Sequence, residues 1–123
     1  MNLSKTEKQL MELIWESKKV FLKELVDAHP EPKPATTTIA TLLKRMQDKG
    51  FVGYNLFGNS REYFPLVEKD VYFSKEVKGI IKKSFGNSAL QFASFFTTAS
   101  DLTKTELEEL KKIIDNEIAK KKK

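Results

Sequence analysis

Apolar side chains return every three or four positions through three stretches of the N-terminal half, and each stretch predicts a helix. In the first, Leu10, Met11, Leu13, Ile14 and Trp15 make an apolar face running to about Ser17, with Trp15 as a core residue. Ser4-Lys-Thr-Glu7 opens that helix with capping-box spacing: the serine oxygen takes an orphan amide and the glutamate reaches back. Lys18-Lys19 reads as a turn and Val20-Phe21 as a very short strand. Residues 22–28 form the second helix, with Leu22, Leu25 and Val26 inward, and Pro30, Pro32 and Pro34 stop it and stiffen the next loop. The third helix spans 34–50. Its inner face is Ile39, Leu42, Leu43 and Met46, and Gly50 suits its C-terminal cap.

Past Gly50 the pattern changes. Residues 51–57 and 61–67 are aromatic and β-branched runs separated by Gly58-Asn59-Ser60, a hairpin signal. Pro65 speaks against a central strand there and fits the end of an edge strand. Three helices in helix-turn-helix order followed by a hairpin make a winged helix. From Glu68 the helical period returns. Phe73, Val77, Ile80, Ile81 and Phe85 mark one helix, ending near Gly86-Asn87. Ser88 caps the next, which holds Leu90, Phe92, Phe95 and Phe96. Thr103-Lys-Thr-Glu106 repeats capping-box spacing before Leu107, Leu110, Ile113, Ile114 and Ile118. Three short helices cannot cover this much apolar surface alone, so a second copy is expected to complete the core. The dimerisation candidates are Val77, Ile81, Phe85, Leu90, Phe92, Phe95, Phe96, Leu107, Leu110 and Ile114. The expected architecture is thus mostly α: a winged helix-turn-helix over 1–68, then a helical dimerisation region over 69–123.

The outer face of the third helix carries the candidate chemistry. Thr36, Thr37, Thr38 and Thr41 are poor choices for an exposed helix because β-branching restricts χ1. Hydroxyls and methyls beside Ala40, followed by Lys44 and Arg45, suit a DNA major groove, where they meet base edges, thymine methyls and phosphates. An ordinary amphipathic helix with solvated threonines has the same pattern. At the hairpin tip, Ser60 and Arg61 stand where a wing reaches a phosphate; Arg61 paired with Glu62 in solvent is the plainer reading.

Charge changes the picture only slightly. The formal net charge is +5, but residues 1–68 contribute +1 of it and residues 69–123 contribute +4, four of the lysines being the tail at 120–123. A nucleic-acid case therefore rests on placement, not on bulk charge. The chain has no cysteine and one histidine, His29, which is expected to cap a helix or lie on the surface. That excludes disulfides, thiolate catalysis and Cys-based metal sites. Without a Gly-rich phosphate loop or a nucleophile–base pair, neither an enzyme nor a cofactor is expected. No apolar run reaches the roughly 18 residues that span a bilayer, and the first residues lack the apolar core of a secretory signal, so a cytoplasmic location is expected.

The chain resembles the penicillinase-repressor family of bacterial regulators over nearly its whole length. The resemblance is carried by Leu3-Ser4…Glu7 and Leu13-Ile14-Trp15, then by Val20…Lys23-Glu24-Leu25. Its specific block is Pro34…Thr38-Ile39-Ala40-Thr41-Leu42-Leu43-Lys44-Arg45 with Lys49-Gly50-Phe51-Val52. Tyr63…Pro65-Leu66-Val67 and Leu102-Thr103…Glu106-Leu107-Glu108-Glu109-Leu110 complete it. It implies a homodimeric repressor, nucleoid-associated when bound to double-stranded DNA at a palindromic operator of TACA/TGTA type. Thr37, Thr38, Ala40 and Thr41 match the groove-reading positions and Lys44 and Arg45 the backbone contacts; some members carry a basic or bulkier residue at Ala40. A copper-responsive branch uses a C-terminal cysteine motif, which this chain lacks. In another branch a membrane sensor pathway leads to cleavage at an Asn-Phe bond in the dimerisation region. Gln91-Phe92 lies at about the matching place, glutamine replacing asparagine, which implies a regulatory protease pathway as a partner.

Two other readings stay open on the residues alone. One is a winged-helix protein-interaction module without specific DNA binding, kept alive by the near-neutral charge of 1–68. The other is membrane-surface attachment through the lysine tail, weak without an apolar anchor.

Overall fold

The computed structural model describes residues 2–122; Met1, of the start motif, and Lys123, of the lysine tail, lie outside the described residues. The chain divides into two compact units, 1–74 and 75–123.

In the first unit α1 (Lys5–Ser17) opens on the expected capping box. The Glu7 amide donates to Ser4 Oγ at 3.2 Å, and the Ser4 amide donates to Glu7 Oε1 at 2.7 Å. Lys18 leaves the helix at φ 68°, and β1 (Val20–Phe21) leads straight into α2 (Leu22–Ala28). The third helix, α3, covers Thr36–Asp48, shorter than the expected 34–50. Ala35 is extended, at φ −65° and ψ 148°, and so leaves itself and Pro34 outside. The far end closes as the glycine foretold. Phe51 N–H donates to Met46 O and Gly50 N–H to Gln47 O, both at 2.9 Å, with Gly50 at φ +82°. This is a Schellman closure, for which a left-handed glycine is the favoured residue.

The hairpin pairs β2 (Val52–Phe57) with β3 (Ser60–Pro65), Phe57 opposite Ser60. The turn is therefore the two residues Gly58-Asn59, and Ser60 belongs to the strand. Gly58 takes φ +62°, the conformation the first position of such a tight turn requires. The edge-strand expectation for Pro65 is overturned. The sheet order is β1-β3-β2, so β3 is central. Proline is tolerated because β1 is two residues long and pairs only with Glu62 and Tyr63. Alternation from the two-residue turn points the Pro65 nitrogen away from β2, to the side where β1 has ended.

The core of this unit is Leu10, Met11 and Ile14 of α1, Leu25 of α2, the four inner residues of α3, and Val52 and Tyr63 of the sheet. Each such aliphatic contributes roughly 1.5–3 kcal/mol by leaving water. Trp15 packs against this core and donates its indole N–H to Val67 O at 2.9 Å. Its ring lies 5.5 Å from Tyr72 and 5.8 Å from Phe73, on α4 (Lys69–Ser84). His29 corrects the surface reading. It is the C-cap of α2 but is buried, at 7% exposure: local position at a helix end does not report how the tertiary fold packs around it.

The second unit holds the rest of α4 with α5 (Ala89–Ala99) and α6 (Lys104–Lys120). Ser88 Oγ accepts from the Gln91 amide at 3.1 Å, capping α5. Thr103 and Glu106 form the second expected capping box, at 2.9 and 3.1 Å.

Candidate nucleic-acid interface

With Ile39, Leu42, Leu43 and Met46 buried, helical geometry turns Thr37, Thr41, Lys44 and Asp48 outward, with Thr38 and Arg45 beside them. All six are exposed, as is Thr36. The N-cap Ala35 has no side-chain acceptor to offer. Its carbonyl takes the amides of Thr38 and Ile39, at 3.0 and 3.2 Å, leaving those of Thr36 and Thr37 for an outside acceptor.

The threonines are not equivalent. Thr41 donates its hydroxyl proton to the Thr37 carbonyl at 2.9 Å. What it presents outward is a methyl group and an acceptor oxygen. Among the basic residues, Lys44 reaches Asp48 of the next turn at 3.2 Å. Both partners are largely solvated, so this pair is weak and readily exchanged for a phosphate. Arg45 makes no ion pair among the described residues.

The wing comes alongside the start of α3. Between them lies an open cleft of about 640 Å³, lined on one side by Thr36 and Ala40 and on the other by Asn59, Ser60 and Arg61. The Arg61 guanidinium stacks on the Tyr54 ring, 4.3 Å from its centroid, instead of pairing with Glu62. That contact holds the cation at the wing tip without neutralising it. The cleft also gathers residues that the sequence did not flag. Lys23 and Asp27 of α2 line it over a floor that includes Phe21, Leu22, Val26 and Tyr63. Only the register of α2 against the hairpin brings them there, which no local pattern reports.

The opposite end of α3 is tied down. Lys49, its C-cap, donates to Glu7 Oε1 at 2.7 Å and to Asn2 O at 3.1 Å. Burial raises the Glu7 pKa, but the hydrogen bonds from Lys49 and from the Ser4 amide and hydroxyl, with the Lys49 charge, outweigh it. The carboxyl is held below its ordinary value.

The family model described as penicillinase repressor matches residues 3–116. The chain belongs to the penicillinase repressor family. Its relatives include the methicillin resistance regulatory protein MecI of Staphylococcus aureus (strain N315), 27% identical over 114 residues, 92% of this chain and 93% of that one. The MecI protein of Mammaliicoccus sciuri is 26% identical over the same span. A penicillinase repressor of Staphylococcus aureus is 27% identical over 122 residues, 98% and 96% of the two chains.

In this penicillinase repressor family member, neither α5 nor α6 has a buried residue. Of the dimerisation candidates, Val77, Leu90, Phe95, Phe96, Leu107 and Ile114 are exposed, Leu90 to 84%. Ile81, Phe85, Phe92 and Leu110 are half-buried, and Phe85 gathers the rings of Phe92 and Phe95 at 5.4 and 5.3 Å. Ile80, Ile113 and Ile118 are equally exposed and extend the apolar surface beyond that set. Gln91 and Phe92 lie in the first turns of α5, their connecting bond inside regular helix. Among the described residues no His, Cys, Asp and Glu cluster suits a metal, and no helix is long and apolar enough to cross a membrane.

Proposed function

We propose that the chain is a sequence-specific DNA-binding repressor of transcription, acting as a homodimer on a palindromic operator. The observation that carries this reading is the division of α3. One face is wholly buried, while the other offers four threonines, Ala40, Lys44 and Arg45 beside a wing bearing Ser60 and Arg61. Thr36, Thr37, Thr38, Ala40 and Thr41 read bases; Lys44, Arg45, Arg61 and the free amides at the start of α3 hold phosphates. The apolar surface of residues 75–123 supports the homodimer, because a lone copy leaves Leu90, Phe95, Phe96, Leu107 and Ile114 in water. Two copies then place two α3 helices in successive major grooves. Derepression by cleavage at Gln91-Phe92 belongs to this reading and requires α5 to open locally.

Fluorescence anisotropy on a TACA/TGTA palindrome and a scrambled duplex, with sedimentation of the free protein, tests it. The expected result is preference for the palindrome at one dimer per site. Equal, salt-sensitive binding to both duplexes, followed by an empty selection from random sequence, would transfer the fold to a protein-interaction role.

A further inference from the structure

The cleft between α2, α3 and the wing is continuous with the proposed base-reading face, sharing Thr36 and Ala40 with it and taking in Ser60 and Arg61 of the wing. Its floor is apolar, from Phe21, Leu22, Val26 and Tyr63, and its rim carries two cations, Lys23 and Arg61, and one anion, Asp27. Lys23 and Asp27 are one helical turn apart on α2, yet they form no ion pair, and Lys23 has no carboxylate partner among the described residues. An apolar floor under a cationic rim matches a sugar–phosphate strand, whose deoxyribose faces are apolar and whose phosphates lie along the edge.

We propose that this cleft seats one backbone strand of the duplex, with Lys23 as a phosphate contact opposite Arg61 and Asp27 as a built-in brake on affinity. The inference rests on the DNA-reader reading and adds α2 to its interface. Lys23 faces the strand from α2 while Arg61 faces it from the wing, so the strand is held from both sides. Asp27, on the same rim, repels it. The net pull is smaller than the two cations alone would give, and the affinity responds in opposite directions to changes at two positions on one helix.

The test uses the full-length protein and a long duplex of arbitrary sequence, because backbone contacts need no operator. Affinity is measured by anisotropy at several salt concentrations for the wild type, Lys23→Ala, Asp27→Asn and Lys8→Ala. Lys8 is exposed on α1 and does not line the cleft, so Lys8→Ala controls for loss of bulk charge. Lys23→Ala is expected to weaken binding roughly 3- to 10-fold and to lower the salt slope by about 0.9, one phosphate's share. Asp27→Asn is expected to tighten binding about two- to fivefold, with Lys8→Ala close to the wild type. All three positions are exposed, and circular dichroism confirms that each variant is folded. Lys23→Ala behaving like Lys8→Ala, or Asp27→Asn failing to tighten binding, overturns the proposal while leaving DNA binding intact. A wild type that binds no duplex at low salt overturns the DNA reading and this inference together.

Discussion

Lys49 Nζ stands 2.7 Å from Glu7 Oε1, so the residue that caps the end of α3 is ion-paired to the residue that closes the first turn of α1. The same carboxylate oxygen accepts the Ser4 amide. One nearly inaccessible side chain, 1% exposed, thus fixes where α3 ends relative to α1. Glu7→Gln keeps an oxygen for the Ser4 amide but removes the charge opposite Lys49, and is expected to cost about 1–3 kcal/mol by urea denaturation at neutral pH.

The same carboxyl sets a pH dependence. Its folded pKa lies below the ordinary 4.5, so the folded state favours the charged form. The stabilisation is complete above the unfolded value and is lost as pH falls through the folded one. Wild type and Glu7→Gln should therefore differ most near neutrality and converge in acid below pH 4.5. A constant gap in denaturation midpoints across that range would refute the linkage.

Gly50 ends α3 at φ +82°, with nothing within 4 Å of where a Cβ would sit. Space is available, so any cost of Gly50→Ala is backbone strain, about 1–2 kcal/mol. Thermal unfolding should show a lower midpoint with unchanged helicity.

Thr41 spends its proton on the Thr37 carbonyl. Thr41→Val keeps the outward methyl; it gives up the bond to the Thr37 carbonyl but takes only an acceptor from the outer face, and it should bind operator within about fivefold of wild type, the lower part of the range for a base contact. Thr41→Glu places a charge against phosphates and should abolish specific binding. A Thr41→Val as damaged as Thr41→Glu would mean that the hydroxyl rotates to donate to a base.

Arg45 makes no ion pair among the described residues, whereas Lys44 leans on Asp48 at 3.2 Å. Arg45→Ala should weaken binding to every sequence alike and reduce the salt slope by about one. An unchanged slope would remove Arg45 from the phosphate contacts.

Ile114→Glu should convert the proposed homodimer to a monomer in sedimentation equilibrium and reduce operator affinity far more than affinity for a half-site. A dimer that survives Ile114→Glu and Leu107→Glu together would place the partner surface elsewhere.

Much of this fold was legible because its determinants are local. Both capping boxes announce themselves by spacing, Gly50 by its place after Met46, and the inner face of α3 by a period of 3.6. The outward placement of the threonines was legible for the same reason. Features set by tertiary pairing were not. Pro65 argues locally for an edge strand, yet two residues of β1 pair with β3 and make it central. His29 looks like a surface cap, yet it is buried in the fold. Nothing local marks Lys23 and Asp27, and only the docking of α2 beside the wing puts them on the cleft.

Trp15 is the chain's single tryptophan, and its indole N–H is bonded to the Val67 carbonyl, just ahead of α4. Its emission is therefore an intrinsic optical gauge of that joint. Undocking of the α4 start would shift the spectrum to the red without any label, and stopped-flow mixing with operator would time such an event directly.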